Sequence, residues 1–144
     1  VQNPTINSLS KHNCIAACIE ASERGGEEGL MLDPNGFVST CNSTHFFMVK
    51  EGHVLTSTGE FCLDGITRRK VIELCRANGI TCFERNFSFD DVLQADEAFV
   101  TGTFAGLTPV VSFDGHAISG GKRGPMCERL QGLYMGLLKE ECSV

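Results

Sequence analysis

The sequence predicts a mixed α/β domain, an α+β sheet built largely from hairpins with helices outside it. Helical and strand-like periodicities alternate along the 144 residues. Several strand-like runs are joined by two-residue turn signals, Glu51-Gly52 and Asp114-Gly115 among them. No G-x-G-x-x-G or Walker loop opens a helix, which argues against a doubly wound nucleotide-binding sheet.

Taken in order, residues 1–9 read as an extended segment containing Pro4, and Ser10 is positioned to cap a helix over about 11–24. Ile15, Cys18 and Ile19 share one face of that helix, and Gly25-Gly26 ends it. Residues 29–33 read as a strand and Asp33-Pro34-Asn35-Gly36 as a turn. Strands over 37–39 and 45–50 flank a polar, small-residue segment, and a third follows over 54–56. Gly65-Ile66-Thr67 leads into a helix with Val71, Ile72, Leu74 and Cys75 as its apolar stripe, closed by Asn78-Gly79. A strand over 80–87 precedes Ser88-Phe89-Asp90-Asp91, a capping-box start with Asp in place of Glu. Residues 98–101 read as a buried strand and 108–118 as a hairpin. Gly124-Pro125 opens the last helix, with Leu130, Leu133, Tyr134, Leu137 and Leu138 on its buried face. The helices begun at Lys11, Thr67 and Gly124 are expected to be the longest. Residues 1–144 make one domain.

Composition limits the partners. Net charge is −6 and the pI about 5.1, the wrong sign for a nucleic-acid surface. No apolar run approaches the roughly 20 residues of a membrane span, and the polar opening Val1-Gln2-Asn3-Pro4 is not a signal peptide. The eight cysteines are even in number, as a disulfide framework would be. Several sit at helical apolar positions, where a free thiol acts as a small hydrophobe, so reduced cysteines and an intracellular reducing compartment are expected. No C-x-x-C pair supports zinc.

Two segments suit an anion. Gly65-Ile66-Thr67-Arg68 lies at a helix start, where backbone N–H groups are unsatisfied and the helix dipole favours negative charge. Thr101-Gly102-Thr103-Phe104-Ala105-Gly106 follows a buried strand and gathers two hydroxyls with unhindered amides. Each has a plainer reading: Thr67 as an N-cap, and T-G-T as a loop.

These segments carry a resemblance. Asp64-Gly65-Ile66-Thr67-Arg68 through Val71-Ile72-Glu73-Leu74 is similar to the G-I-T-R-x-x-V-I-E-L segment of branched-chain and D-amino-acid aminotransferases. The run from Ala95 through Thr103, followed by Leu107-Thr108-Pro109-Val110, resembles their A-D-E-x-F-x-T-G-T-x-x-x-x-T-P-V. Residues 37–47 resemble the segment around their cofactor ring. The resemblance runs from about Ile6 to Leu138. It implies the larger, C-terminal domain of a fold-type-IV pyridoxal 5'-phosphate (PLP) enzyme, the class-IV aminotransferase family, with a mixed sheet curled toward a pseudo-barrel. It also implies amino acid and 2-oxo acid substrates, a smaller N-terminal domain as partner and a homodimer. Residue by residue, Gly65, Ile66 and Thr67 would bind the cofactor phosphate, joined by Gly102 and Thr103. Thr103 and Phe104 would face the substrate carboxylate. Leu63 would pack on the pyridine ring, its alternative being ordinary core packing.

Two positions depart from the pattern. The cofactor-bonding lysine of K-[ST]-x-N falls on Asn7, and an amide cannot replace an amine there. Lys11 follows; if the chain is helical, residues 7 and 11 share a face, so Lys11 is the candidate for a relocated lysine. Its alternative is a solvated first-turn lysine. The glutamate expected at the ring nitrogen falls on Thr40, a neutral hydroxyl that supports a pyridinium charge poorly. Three functions stay open: an aminotransferase, a PLP-dependent lyase, and a non-catalytic descendant. Arg68 and Arg69 are expected to point outward, His45 to hydrogen-bond in the core or shape the cofactor pocket, and His116 to be exposed. Asp90, Asp91, Asp96 and Glu97 read as capping or solvated charges.

Overall fold

The computed structural model describes residues 3–142. The order is α1 (His12–Glu23), β1 (Leu30–Leu32), β2 (Val38–Cys41), β3 (His45–Lys50), β4 (His53–Thr56), α2 (Ile66–Ala77), β5 (Cys82–Glu84), α3 (Phe89–Leu93), β6 (Glu97–Gly102), β7 (Gly106–Val110), β8 (Ser112–Phe113), β9 (His116–Ala117) and α4 (Pro125–Glu141). The three helices expected to be longest are so: α1 and α2 have 12 residues and α4 has 17, against five in α3.

The central sheet has five strands in the order β5-β4-β3-β6-β7. Only β4 and β5 pair in parallel, and α2 is the crossover between them. The other neighbours are antiparallel, so the sheet is mixed. The β3–β4 turn uses Glu51 at φ 49° and Gly52 at φ 75°, the left-handed pair that a two-residue hairpin needs.

Strand alternation sorts the core onto two faces. Phe47, Val49 and Phe99 meet Val71, Ile72 and Cys75 of α2 and Cys127 and Leu130 of α4. Phe46, Met48, Leu55 and Ala98 face the other way, toward Val38, Phe87, Val92 and Ile118. The Phe47 and Phe99 rings stack at 5.0 Å between centroids. Each fully buried large aliphatic or aromatic side chain contributes about 1.5–3 kcal/mol.

Glu97 docks α4 onto the sheet. Its Oε1 accepts from the Met126 N–H at 3.0 Å and its Oε2 from the Cys127 N–H at 2.9 Å. It thus satisfies two free amides at the helix N-terminus and opposes the positive end of the dipole. A Cβ at Gly124 would stand 2.1 Å from the Glu97 Cδ, which is why glycine precedes Pro125. Glu97 is therefore a buried tertiary cap, not a solvated charge.

Several local readings change. The segment over residues 3–9 is not extended throughout but turns at residues 4–6: Asn3 Oδ1 accepts from the Thr5 N–H at 3.0 Å, and Ile6 N–H reaches the Asn3 carbonyl. Val1 and Gln2 of that segment lie outside the described residues. Lys11, not Ser10, occupies the N-cap of α1. Among the described residues α1 buries none, and Ile15 and Ile19 remain 53% and 55% exposed, so its apolar face covers no core here. The strand expected over 80–87 shrinks to β5, because only that short stretch pairs with β4. The capping box of α3 is present, with Ser88 Oγ and Asp91 bonding reciprocally.

Candidate functional site

A cleft of about 470 Å³ opens between the start of α1, the β1–β2 hairpin and the segment before α2. Asn7, Lys11, Thr40, His45 and Leu63 line it. Lys11 is exposed and caps α1 with φ −98° and ψ 42°. Because α1 begins only at His12, Asn7 is not helical, and the expected i to i+4 relation between the two residues does not apply. Both nonetheless reach the same cleft, since the segment over residues 3–9 folds back along it.

The small-residue segment after β2 is organised by a carboxylate. Glu28 Oε1 accepts from Ser43 N–H at 3.0 Å and from Ser43 Oγ at 2.6 Å, and its Oε2 accepts from Thr44 Oγ1 at 2.7 Å. The Thr40 hydroxyl donates to the Thr44 carbonyl at 2.9 Å. Its proton thus committed, Thr40 meets anything in the cleft as an acceptor. Burial, helped by Glu28, pushes the Cys41 thiol up to about 12, so it stays a thiol at neutral pH. Burial likewise raises Cys62.

His45 begins β3 and Leu63 ends the loop before α2. The Nε2 N–H of His45 donates to the Leu63 carbonyl at 2.7 Å. The imidazole lies so close to Gly65 that a Cβ there would stand 2.4 Å from its Cε1. Burial holds the imidazole below the ordinary histidine range; the Leu63 bond, Asp64 and Glu28 oppose this, while Arg68 adds to it.

Gly65 occupies the N-cap of α2, without a side-chain cap and with no acidic residue in the first turn. This helix start therefore offers bare amides, and Thr67 is a buried first-turn residue and not a cap. Ile66 is 70% exposed. Arg68 does not point outward: it is 6% exposed and donates through one terminal nitrogen to the Ser57 carbonyl at 2.7 Å and to Glu84 Oε1 at 3.1 Å. It pins the loop that ends at Leu63 to the crossover helix. Arg69, in contrast, is half exposed beside Asp64.

Gly102, Thr103 and Phe104 belong to the β6–β7 hairpin turn, with Gly102 opposite Gly106. Thr103 is exposed and Phe104 is fully open to solvent. Thr44 and His45, at the start of β3, bring this turn and the α2 N-terminus to one end of the sheet. Thr44 packs at Gly102, where a Cβ would lie 3.3 Å from its Cγ2, and His45 packs at Gly65. Thr101 is the register partner of His45 and is wholly buried, yet its hydroxyl has no hydrogen-bond partner. Gly65, Ile66, Thr67, Gly102, Thr103 and Phe104 do not line the cleft; Thr40, Leu63 and Lys11 do. The His45–Leu63 link, the Arg68 anchor and the Glu97 cap were not legible as site features, because each joins residues distant in sequence.

A family model described as Amino-transferase class IV matches residues 1–113. Branched-chain-amino-acid aminotransferase-like protein 2 of Arabidopsis thaliana is 44% identical over 125 residues, 87% of this chain and 22% of that protein. The branched-chain-amino-acid aminotransferase of Pseudomonas aeruginosa is 40% identical over 126 residues, 88% of this chain and 41% of that protein. The crystal structure of the branched-chain amino acid aminotransferase from Thermobaculum terrenum in its PLP form superposes with a TM-score of 0.90 at 33% identity, over 96% of this chain and 46% of that one. The chain thus spans less than half the length of these relatives. Its mixed sheet, with both glycine-and-threonine segments at one end of it, and the family match over most of its residues agree: the chain belongs to the class IV aminotransferases.

Proposed function

We propose that the whole protein is a PLP-dependent enzyme acting on an amino acid and a 2-oxo acid, and that this chain is its cofactor-holding half. The carrying observation is the pairing of an uncapped α2 N-terminus with the buried, partnerless Thr101 hydroxyl, joined through His45, which packs on Gly65, is the register partner of Thr101 and lines the cleft. A dianionic phosphate suits both. The amides of Ile66 and Thr67, with the Thr67 hydroxyl, would hold the phosphate, joined by Gly102 and Thr103. Leu63, fixed by His45, would pack on the ring. Thr40 would accept from the ring nitrogen. Thr103 and Phe104 face the substrate carboxylate. When bound, PLP supplies an aldehyde that bonds amines and a ring that withdraws electrons from the substrate α-carbon. Lys11 lines the cleft and would be the amine that holds the cofactor and carries the substrate α-proton. The N-terminal half supplies further phosphate contacts, and the assembled enzyme is a homodimer. A lyase acting on a related amino acid uses the same groups.

The test is borohydride trapping of the full-length protein with PLP, followed by absorbance and peptide mapping. A trapped adduct on Lys11, lost in Lys11→Ala and kept in Asn7→Ala, is the expected result. Trapping that persists in Lys11→Ala defeats the relocated lysine. A second reading is a non-catalytic descendant that keeps the fold for assembly or regulation. Asn7 and Thr40 favour it, since neither supplies the chemistry of the residue it replaces. Reversible PLP binding with no adduct in any variant supports that reading.

A further inference from the structure

We propose that His45 couples anion binding to proton uptake: it is neutral in the empty domain and becomes imidazolium when a phosphate-like dianion occupies the α2 N-terminus. This rests on the reading of that helix start as an anion site.

The tautomer follows from the contacts. Nε2 donates to the Leu63 carbonyl, so Nε2 carries the proton of the neutral ring and Nδ1 is the one place a second proton can go. The ring lies against Gly65, the residue immediately before the first amides of α2. An anion accepting from those amides therefore sits beside the imidazole. The Leu63 bond survives protonation, because imidazolium donates from Nε2 as well. Across the β3–β6 register stands Thr101, buried and without a partner.

The surrounding charges give the sign. Arg68 on α2 disfavours a second cation, and so does burial. Asp64 before α2 and Glu28 before β1 favour one, but Asp64 is also paired with Arg69, and Glu28 is held by Ser43 and Thr44. The balance keeps the empty site neutral. A dianion at the helix start adds charge of the opposite sign beside the ring and reverses the balance. The bound form then holds more protons than the free form, so binding strengthens as pH falls from the raised bound pKa to the lowered free one. Cys41 and Cys62, in the same cleft, are shifted upward and stay protonated across this range.

The probe is sulfate, which remains a dianion throughout. In the full-length protein, its dissociation constant is measured from melting-temperature titrations between about pH 5.5 and about pH 8.5, a range bracketing the ordinary histidine pKa. The constant should rise about tenfold or more with pH in the wild type. In His45→Asn, which keeps an N–H donor for Leu63 but cannot titrate, it should stay level within about twofold. Calorimetry of the wild type in two buffers of different ionisation heat should show net proton uptake on sulfate binding, a readout independent of any variant. Thr101→Val should weaken sulfate at every pH without lowering the sulfate-free melting temperature. Equal pH dependence in wild type and His45→Asn, or binding without proton uptake, overturns the role of His45. Absence of sulfate stabilisation at every pH overturns the anion site itself.

Discussion

The two helices that flank the cleft are anchored in opposite ways. α2 buries Val71, Ile72 and Cys75 against the central sheet and is tied further by Arg68 to Ser57 and Glu84. α1, of the same length, buries nothing among the described residues, and its Ala17 lies over Gly29. The α2 side of the cleft is therefore part of the core. The lysine side rides on an element with few buried apolar contacts, the kind that opens first. The sequence departures follow the same division. Gly65-Ile66-Thr67 and Thr101-Gly102-Thr103 match the family pattern, while Asn7 and Thr40 on the other side do not.

The largest expected effect reverses a departure on the weak side. In full-length Lys11→Ala, adding Asn7→Lys should restore a borohydride-trapped PLP adduct from none to nearly one per chain, measured by intact mass. If no adduct returns, the segment over residues 3–9 does not deliver position 7 to the cofactor.

Next is the anchoring of the strong side. Glu97→Ala should lower unfolding free energy by about 3 kcal/mol, since two charge-assisted bonds vanish and two helix-start amides lose their acceptor. Glu97→Gln keeps one acceptor oxygen and should lose roughly half as much. Urea denaturation checks both. An equal, negligible loss for the two would mean that the α4 N-terminus is hydrated.

The comparison between the helices is sharpest for one pair of truncations. Val71→Ala on α2 should cost about 2 kcal/mol or more, through lost burial and a residual cavity. Ile15→Ala on α1, at 53% exposure, should stay within about 0.5 kcal/mol in the isolated chain. A large Ile15 effect appearing only in the full-length protein would show that another part of the molecule covers α1. Amide hydrogen exchange should give the same ranking, with α2 protected far longer than α1.

Smaller still is the α3 cap. Ser88→Ala should cost about 1 kcal/mol at neutral pH. The backbone and side-chain bonds from Ser88 hold Asp91 below the usual carboxylate range. A depressed carboxylate stabilises above its unfolded pKa and loses that contribution as pH falls through the folded one. The cost of Ser88→Ala should therefore shrink in acid, measured by denaturation at successively lower pH.

Much of the architecture was readable because it is local. Period-two and period-3.6 apolar patterns located the central strands and the long helices, Glu51-Gly52 and Asp114-Gly115 announced their turns, and Gly124-Pro125 announced α4. The α1 stripe misled, because periodicity shows that a face is apolar and not what covers it. The strand over 80–87 was overlong for a related reason: β propensity does not supply a partner, and β4 pairs with only Cys82–Glu84.

By itself, then, the sequence determined the element types, the two anion-suited segments and the absence of an amine at position 7 and of a carboxylate at position 40, for these are matters of residue identity and short-range spacing. Tertiary structure alone decided that Arg68 turns inward, that Glu97 caps a helix 29 and 30 residues away, and that His45 holds Leu63 across 18 residues. A buried charge or polar hydrogen must find its partner wherever folding brings one, and no local pattern records where that is.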